Sequence, residues 1–213
     1  MKVAFIIRFH YKKDDERFDW RFKFFKEEVL PRINSQSFKG FDICVWCNPW
    51  HKELFEGLGV KTFEAVDKTR YKYFDKKDIY YFHDFVDFEE TTGLDKYDVQ
   101  VGLDSDDFIS KDFLQLAMDK VNKHVSENPN ESLHLCFQPE YYYVQSGEVK
   151  PMKTYNTKKG SAFMVLYQPI NDNYRFIYSE SHMSIITRTD KSEVLPVGHC
   201  WACVHDLNES TGR

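Results

Sequence analysis

Three carboxylates fall within four positions at Asp104, Asp106 and Asp107, directly behind the apolar residues Val99, Val101 and Leu103. Charge at that density is costly to desolvate in a half-buried strand, so the pattern predicts a strand that stops there and opens its end to solvent. Acidic side chains at i and i+2 can share one hard divalent cation and leave coordination sites for phosphate oxygens. An EF-hand loop is excluded, because Phe108 and Ile109 stand where it needs an oxygen ligand and a glycine. A phosphatase D-x-D, whose first carboxylate is a nucleophile, fits poorly with a mid-chain motif followed by Phe108. An acidic helix entry favoured by the macrodipole stays open as the alternative.

Other chemistry-bearing residues are spread along the chain. Arg8 ends the first apolar run. Arg70, among Lys72, Lys76 and Lys77, could clamp a diphosphate or simply be solvated. Lys158 lies in the polar stretch Thr154–Gly160, and Glu180 and His182 lie in Ser179–His182, a short stretch that can open a helical turn. Cys44-x-x-Cys47 and Cys200-x-x-Cys203 have a zinc-like spacing. Cys44 falls inside an expected strand, however, where residues three apart face opposite ways, so the pair should not converge. In an extended strand His199, Trp201, Cys203 and His205 share one face, where imidazoles could complete a metal site.

The elements that must position these groups follow from periodicity. Val3–Phe9 is a continuous apolar run, the mark of a central parallel strand. A helix follows with apolar positions Phe18, Phe22, Phe25, Val29 and Ile33, carrying Arg17, Arg21, Lys23 and Lys26 on its other faces and Pro31 near its end. Phe41–Trp46 is a strand, Trp50–Gly57 a short helix and Val60–Phe63 a third strand, which together make the repeating β-α-β unit. Asp67–Asp78 reads as irregular and Ile79–Glu90 as a helix. After the acidic strand, Ser110 caps a helix running to Asn128-Pro129. Leu133–Phe137 and Ser161–Tyr167 read as strands, and Asn171–Tyr178 as a loop. Tyr141–Val144 and Val149–Met152 form a hairpin across Ser146-Gly147-Glu148. Val194–Val197 and His199–His205 close the chain.

The expected architecture is α/β: a Rossmann-like, mostly parallel sheet with helices on both faces, extended by a mixed or antiparallel C-terminal part. One domain over 1–213 accommodates it, with 1–108 and 109–213 as its two halves. Net charge is −5 and basic residues are dispersed, which argues against nucleic acid as a partner. No apolar run approaches the roughly 18 residues that span a bilayer, and Val3–Ile7 is too short for a signal sequence. Five cysteines without secretory context imply reduced thiols. A cytoplasmic location is expected.

Several landmarks then agree in order and spacing over nearly the whole chain: R-F at 8–9, W-R-F-x-x-F at 20–25, L-P-R-I-x-S-Q-S-F at 30–38, N-P-W-H at 48–51, L-D-S-D-D at 103–107 and C-W-A-C-V-H-D-L-N at 200–208. Together they resemble the rhamnosyltransferase family of GT-A-like glycosyltransferases. The resemblance implies a nucleoside-diphosphate-sugar donor, a hydroxyl acceptor and Mn²⁺ or Mg²⁺ at the D-x-D. Carried over by position, Asp104 would face the ribose and the metal shell, Asp106 would bind the ion and His205 would be its third protein ligand. Arg8, Arg70 and Lys158 would contact the donor. In an inverting reaction Glu180, or after it His182, would take the acceptor's proton. The rival readings are a non-catalytic nucleotide- or carbohydrate-binding module and a metal-dependent phosphoesterase.

Overall fold

The computed structural model describes residues 1–9, 13–64, 97–145, 148–151, 163–169, 177, 189–195 and 198–205, with backbone alone at 64, 140–145, 148–151 and 202–205. The arrangement grows from β1 (Val3–Phe9), where Val3–Ile7 and Phe9 are all at most 2% exposed. Such a run has no polar face to offer to water, so it can only be the middle of a sheet covered on both sides. β2 (Phe41–Cys47) and β3 (Lys61–Glu64) lie parallel on one side of it, and β4 (Val99–Leu103) lies parallel on the other. Beyond β4 the sheet becomes mixed. β9 (Met164–Tyr167) runs antiparallel between β4 and β6 (Leu133–Phe137), and β10 (Lys191–Leu195) adds in parallel at the edge. The seven strands are ordered β10-β6-β9-β4-β1-β2-β3.

A second sheet, β5-β11-β7-β8, is built from β5 (Phe108–Ile109), β11 (Cys200–His205), β7 (Glu140–Gln145) and β8 (Glu148–Pro151). The expected hairpin is the antiparallel pair β7–β8.

Alternate residues of β1, β2 and β9 enter two separate cores. Val3, Phe5, Ile7 and Phe9 pack with the helices, while Ala4 and Ile6 pack with Cys44, Trp46, Tyr97, Met164, Leu166 and Ile177 on the opposite face. Cys44 and Cys47 are divided the same way, one in each core, which is the divergence that strand geometry requires.

The first helical run starts at Asp15, whose side chain accepts from the Arg17 N–H, and comprises α1 (Glu16–Phe24), a π-turn (Phe25–Val29) and α2 (Leu30–Asn34). The wide turn is where Leu30 N–H reaches back to the Phe25 carbonyl. Pro31, next in sequence, has no N–H and crowds the preceding turn, and the π-turn absorbs that local misfit. The predicted stripe survives it, with Phe25, Val29 and Ile33 fully buried. The helix expected over Trp50–Gly57 is a 3₁₀ turn, Pro49–His51, leading into α3 (Lys52–Glu56). α4 (Phe113–Glu127) buries Phe113, Leu114, Ala117, Met118 and Val121 against the same face as α1, α2 and α3.

One local expectation fails. Ser110 does not cap α4, which starts after Asp112 without a side-chain cap. Phe108 and Ile109 are held extended by pairing with β11, so the chain cannot turn helical until they are passed. Ser110 instead donates its N–H to the His199 carbonyl at 2.8 Å, with its Oγ 3.2 Å from His199 Nδ1. The stretches Asp67–Asp78, Ile79–Glu90 and Thr154–Gly160 lie outside the described residues.

Candidate functional site

In an open α/β sheet the ligand crevice lies at the carboxyl ends of the strands, where strand order reverses. Here the reversal falls between β1 and β4, since β2 and β3 continue on one side of β1 and β4 begins the other. Ile7 pairs with Leu103, so the next residues, Arg8 and Asp104, leave the two strands side by side. Arg8 Nη2 lies 3.2 Å from Asp104 Oδ1, with the two side chains 30% and 34% exposed. The first predicted donor contact and the first predicted metal ligand therefore meet at the mouth of the crevice.

The rest of the acidic turn is not open to solvent as its charge density led us to expect. Ser105, Asp106 and Asp107 are 4–5% exposed. The turn folds on itself through the Asp107 N–H, which donates to the Asp104 carbonyl at 3.2 Å. Asp106 is buried against Arg21 of α1, whose Nη1 forms an ion pair with Oδ2. Arginine satisfies the carboxylate that water would otherwise have to reach, which is why the turn can close.

Arg21 is the residue that the sequence reading left on the helix's outer faces. The signal was present: Arg21 is three residues after Phe18 and four before Phe25, so it sits on the buried stripe itself.

The same helical run also braces the chain just beyond the turn. Phe24 stacks on Phe108 with ring centroids 5.4 Å apart, and the Arg32 guanidinium lies 4.3 Å over that ring. Gln36, fully buried, donates to the Ser110 carbonyl at 2.7 Å and accepts from the Leu114 N–H at 2.9 Å.

β11 runs antiparallel to β5, pairing Cys200 with Ile109 and Trp201 with Phe108. His205, the last residue of β11, pairs with Val144 of β7. Its side chain lies outside the described residues, as do Arg70, Lys158, Glu180 and His182. Among the described residues, no three acidic, histidine or cysteine side chains gather into a metal-holding group. The donor types nonetheless fit a hard divalent ion. Asp104, about one-third exposed, can meet one from solvent, while Asp106 is buried in its ion pair with Arg21.

A family model described as "Putative rhamnosyl transferase" matches residues 5–212. The chain belongs to this family. No curated protein matches it. Among solved structures, it is similar to S. aureus TarS, with a TM-score of 0.55 and 16% identity over 96% of this chain and 37% of that one. It is also similar to S. aureus TarS 1-349 in complex with UDP, with a TM-score of 0.56 and 15% identity over 96% of this chain and 61% of that one. The same TarS fragment in a further structure gives 0.54 and 15% over 95% and 60%. The chain thus spans 37–61% of the length of these TarS chains. At such identities the likeness concerns the fold, and the fold is the GT-A-like one: a mostly parallel sheet with helices, joined by antiparallel strands. No helix among the described residues is long and apolar enough to cross a membrane.

Proposed function

We propose that this family member is a cytoplasmic glycosyltransferase that moves a sugar from a nucleoside-diphosphate donor to a hydroxyl acceptor, with a divalent ion at the acidic turn. The observation that carries the reading is the Arg8–Asp104 pair at the β1/β4 switch point, in a chain whose family match covers residues 5–212. A guanidinium and a carboxylate side by side, both partly solvated, can part to receive a diphosphate and a cation respectively. Asp104 and Asp106 would hold Mn²⁺ or Mg²⁺ with His205 as third ligand. The ion, when bound, supplies a Lewis acid that offsets charge on the leaving diphosphate.

The chain's own residues have separate tasks in this reading. Arg8 binds a donor phosphate oxygen once Asp104 releases it, with Arg70 and Lys158 as further cationic contacts. Glu180 is the first candidate to take the acceptor's proton and His182 the second. Residues 1–108 would serve the nucleotide sugar and 109–213 the acceptor.

The test is turnover. Incubation with a panel of nucleotide sugars and Mn²⁺ should release free nucleoside diphosphate, including slow release by hydrolysis without acceptor. Monophosphate release alone would favour a phosphoesterase, and saturable UDP binding without any turnover would favour a binding module.

A further inference from the structure

We propose that Gln36 is a positioning residue that sets how the smaller sheet is seated against the larger one, so that donor turnover depends on it while donor binding does not. The inference rests on reading the chain as a transferase whose second half serves the acceptor.

Gln36 lies just past α2 and is fully buried. Its Nε2 donates to the Arg32 carbonyl at 3.2 Å and to the Ser110 carbonyl at 2.7 Å, and its Oε1 accepts from the Leu114 N–H at 2.9 Å. Two carbonyls and one N–H leave the amide a single orientation. It therefore spans the corner where β5 ends and α4 begins, and holds both arms of that corner to the helical run that packs on the larger sheet.

Ser110 carries the hold onward. Its N–H donates to the His199 carbonyl at 2.8 Å and its Oγ lies 3.2 Å from His199 Nδ1, so it stands opposite the residue just before β11. β11 pairs with both β5 and β7 and so joins the strands of the smaller sheet. A continuous series of hydrogen bonds thus runs from the first helical run, through Gln36 and Ser110, to the start of the strand that carries His205.

Partnering backbone groups does not by itself call for this amide. The Ser110 carbonyl also accepts from the Phe113 N–H, and the Arg32 carbonyl from the Ser35 hydroxyl. The Leu114 N–H is left to Gln36, although Asp112 stands at the cap position of α4 and its side chain caps nothing there. A cap from Asp112 would satisfy the helix and tie it to nothing else; one reaching in from beyond α2 also fixes where the corner lies. Changing Gln36 leaves the segment tethered, because the Ser37 N–H donates to the Lys111 carbonyl at 2.9 Å and Phe24 and Arg32 remain on Phe108.

The experiment compares wild type, Gln36→Met and Gln36→Glu in melting temperature, UDP affinity and nucleotide-sugar turnover per folded molecule, well below the melting transitions. Gln36→Met fills the space without hydrogen bonds. It should bind UDP within about twofold of wild type and turn over donor about 100-fold more slowly, since a misplacement of about 1 Å caused far from the chemistry can cost that much.

Gln36→Glu adds a readout that packing alone does not move. Ionised, its carboxylate has no proton to offer the Ser110 carbonyl; protonated, it donates an O–H there and still accepts from the Leu114 N–H, as glutamine does. Burial raises the pKa of such a carboxyl, so turnover relative to wild type should rise several-fold as pH falls from about 7.5 to about 5.5. Should Gln36→Met fail to fold, this profile decides alone. A lowered melting temperature with turnover within about threefold of wild type in Gln36→Met, or a flat relative profile in Gln36→Glu, would leave Gln36 with packing only and overturn the proposal. Wild type that binds UDP without turning over any donor removes the transferase reading and this role together, whereas turnover indifferent to Gln36 removes the role alone.

Discussion

The two ends of the parallel sheet both carry carboxylates neutralised by cations, yet they are built differently. At the amino end Asp42 Oδ2 accepts from Lys61 Nζ and from the Tyr97 hydroxyl, each at 2.5 Å. Lys61 Nζ also reaches the Tyr97 oxygen at 3.1 Å, and the Cys44 thiol donates to it at 3.8 Å. The hydrogen bonds from Lys61 and Tyr97 hold the Asp42 carboxyl below its ordinary range. Burial, with the bond to Asp42 behind it, pushes the Tyr97 phenol up, and burial pushes the Cys44 thiol up to about 12.

These groups sit within regular strands or next to them, and the shifts keep Asp42 ionised and Tyr97 and Cys44 protonated near neutral pH. A groove of about 340 Å³ lies at this end, lined by Asp42, Lys61, Lys39 and Asn34 among others. It is at the wrong end of the strands for a switch-point ligand. At the carboxyl end the carboxylates belong to a turn between two sheets and are met by long arginines from two different elements. Ion pairs alone therefore do not mark a site. Their place in the topology, and whether one partner can let go, does.

The substitution that should hit hardest is Asp106→Asn. It takes the carboxylate charge out of the buried pair with Arg21, and breaking a buried pair typically costs about 3–5 kcal/mol. A large drop in melting temperature should therefore accompany loss of turnover. Asp104→Asn should behave otherwise, because its pair with Arg8 is partly solvated and worth roughly 0–1 kcal/mol. Its melting temperature should stay near wild type while nucleotide-sugar turnover falls on the order of 10²–10³-fold, the usual loss for one electrostatic contact made to the transition state. A stable, fully active Asp104→Asn protein would make the carboxyl end no more functional than the amino end.

That Asp104, rather than Asp106, separates chemistry from folding was not legible in the sequence. D-x-D gives the two carboxylates equal standing, and their unequal burial comes from a helix more than 80 positions earlier in the chain. The core strands were legible because burial on both faces writes itself as nearly continuous apolar runs, as in Val3–Phe9, broken only by Arg8, and Leu133–Phe137, broken only by His134. β5 was not, since two residues carry no period and its partner, β11, begins about 90 positions later. The π-turn left the apolar steps of the first helical run intact, so nothing in the pattern announced it. Arg21 was readable from its three- and four-residue spacing to Phe18 and Phe25, but an arginine on a buried stripe is easily taken for a solvated one. The colinear landmarks, by contrast, identified the family on residues alone.

A smaller effect tests the independence of the two ends. Tyr97→Phe removes the hydroxyl that donates to Asp42 and accepts from Cys44 and Lys61. The loss should be about 1–1.5 kcal/mol, seen in chemical denaturation, with UDP affinity unchanged. A Tyr97→Phe protein of normal stability that binds UDP several-fold more weakly would show that the two ends are coupled through β4 and β2.

The smallest effect concerns His51, at the carboxyl end of β2. It is 5% exposed and stacks parallel on Phe18 with ring centroids 3.5 Å apart, while its Nδ1 is buried without a hydrogen-bond partner. Burial lowers its pKa below the ordinary 6.5, with Asp19 opposing weakly. The unfolded chain then takes up a proton near pH 6.5 while the folded one still refuses it. Stability is intact above that value and declines as pH falls below it, until the folded pKa is reached. Each pH unit within that window removes at most about 1.4 kcal/mol. Melting temperatures at pH 7.5 and 5.5 should therefore differ more for wild type than for His51→Phe, which keeps the stack and cannot titrate. The Tyr97→Phe protein should keep the wild-type slope, because its lesion lies at the end of the sheet where Tyr97 and Cys44 titrate still further above this pH range than they ordinarily do. Parallel profiles for wild type and His51→Phe would mean that His51 reaches a proton in the folded state after all, and that the carboxyl end is wetter around β2 than its burial indicates.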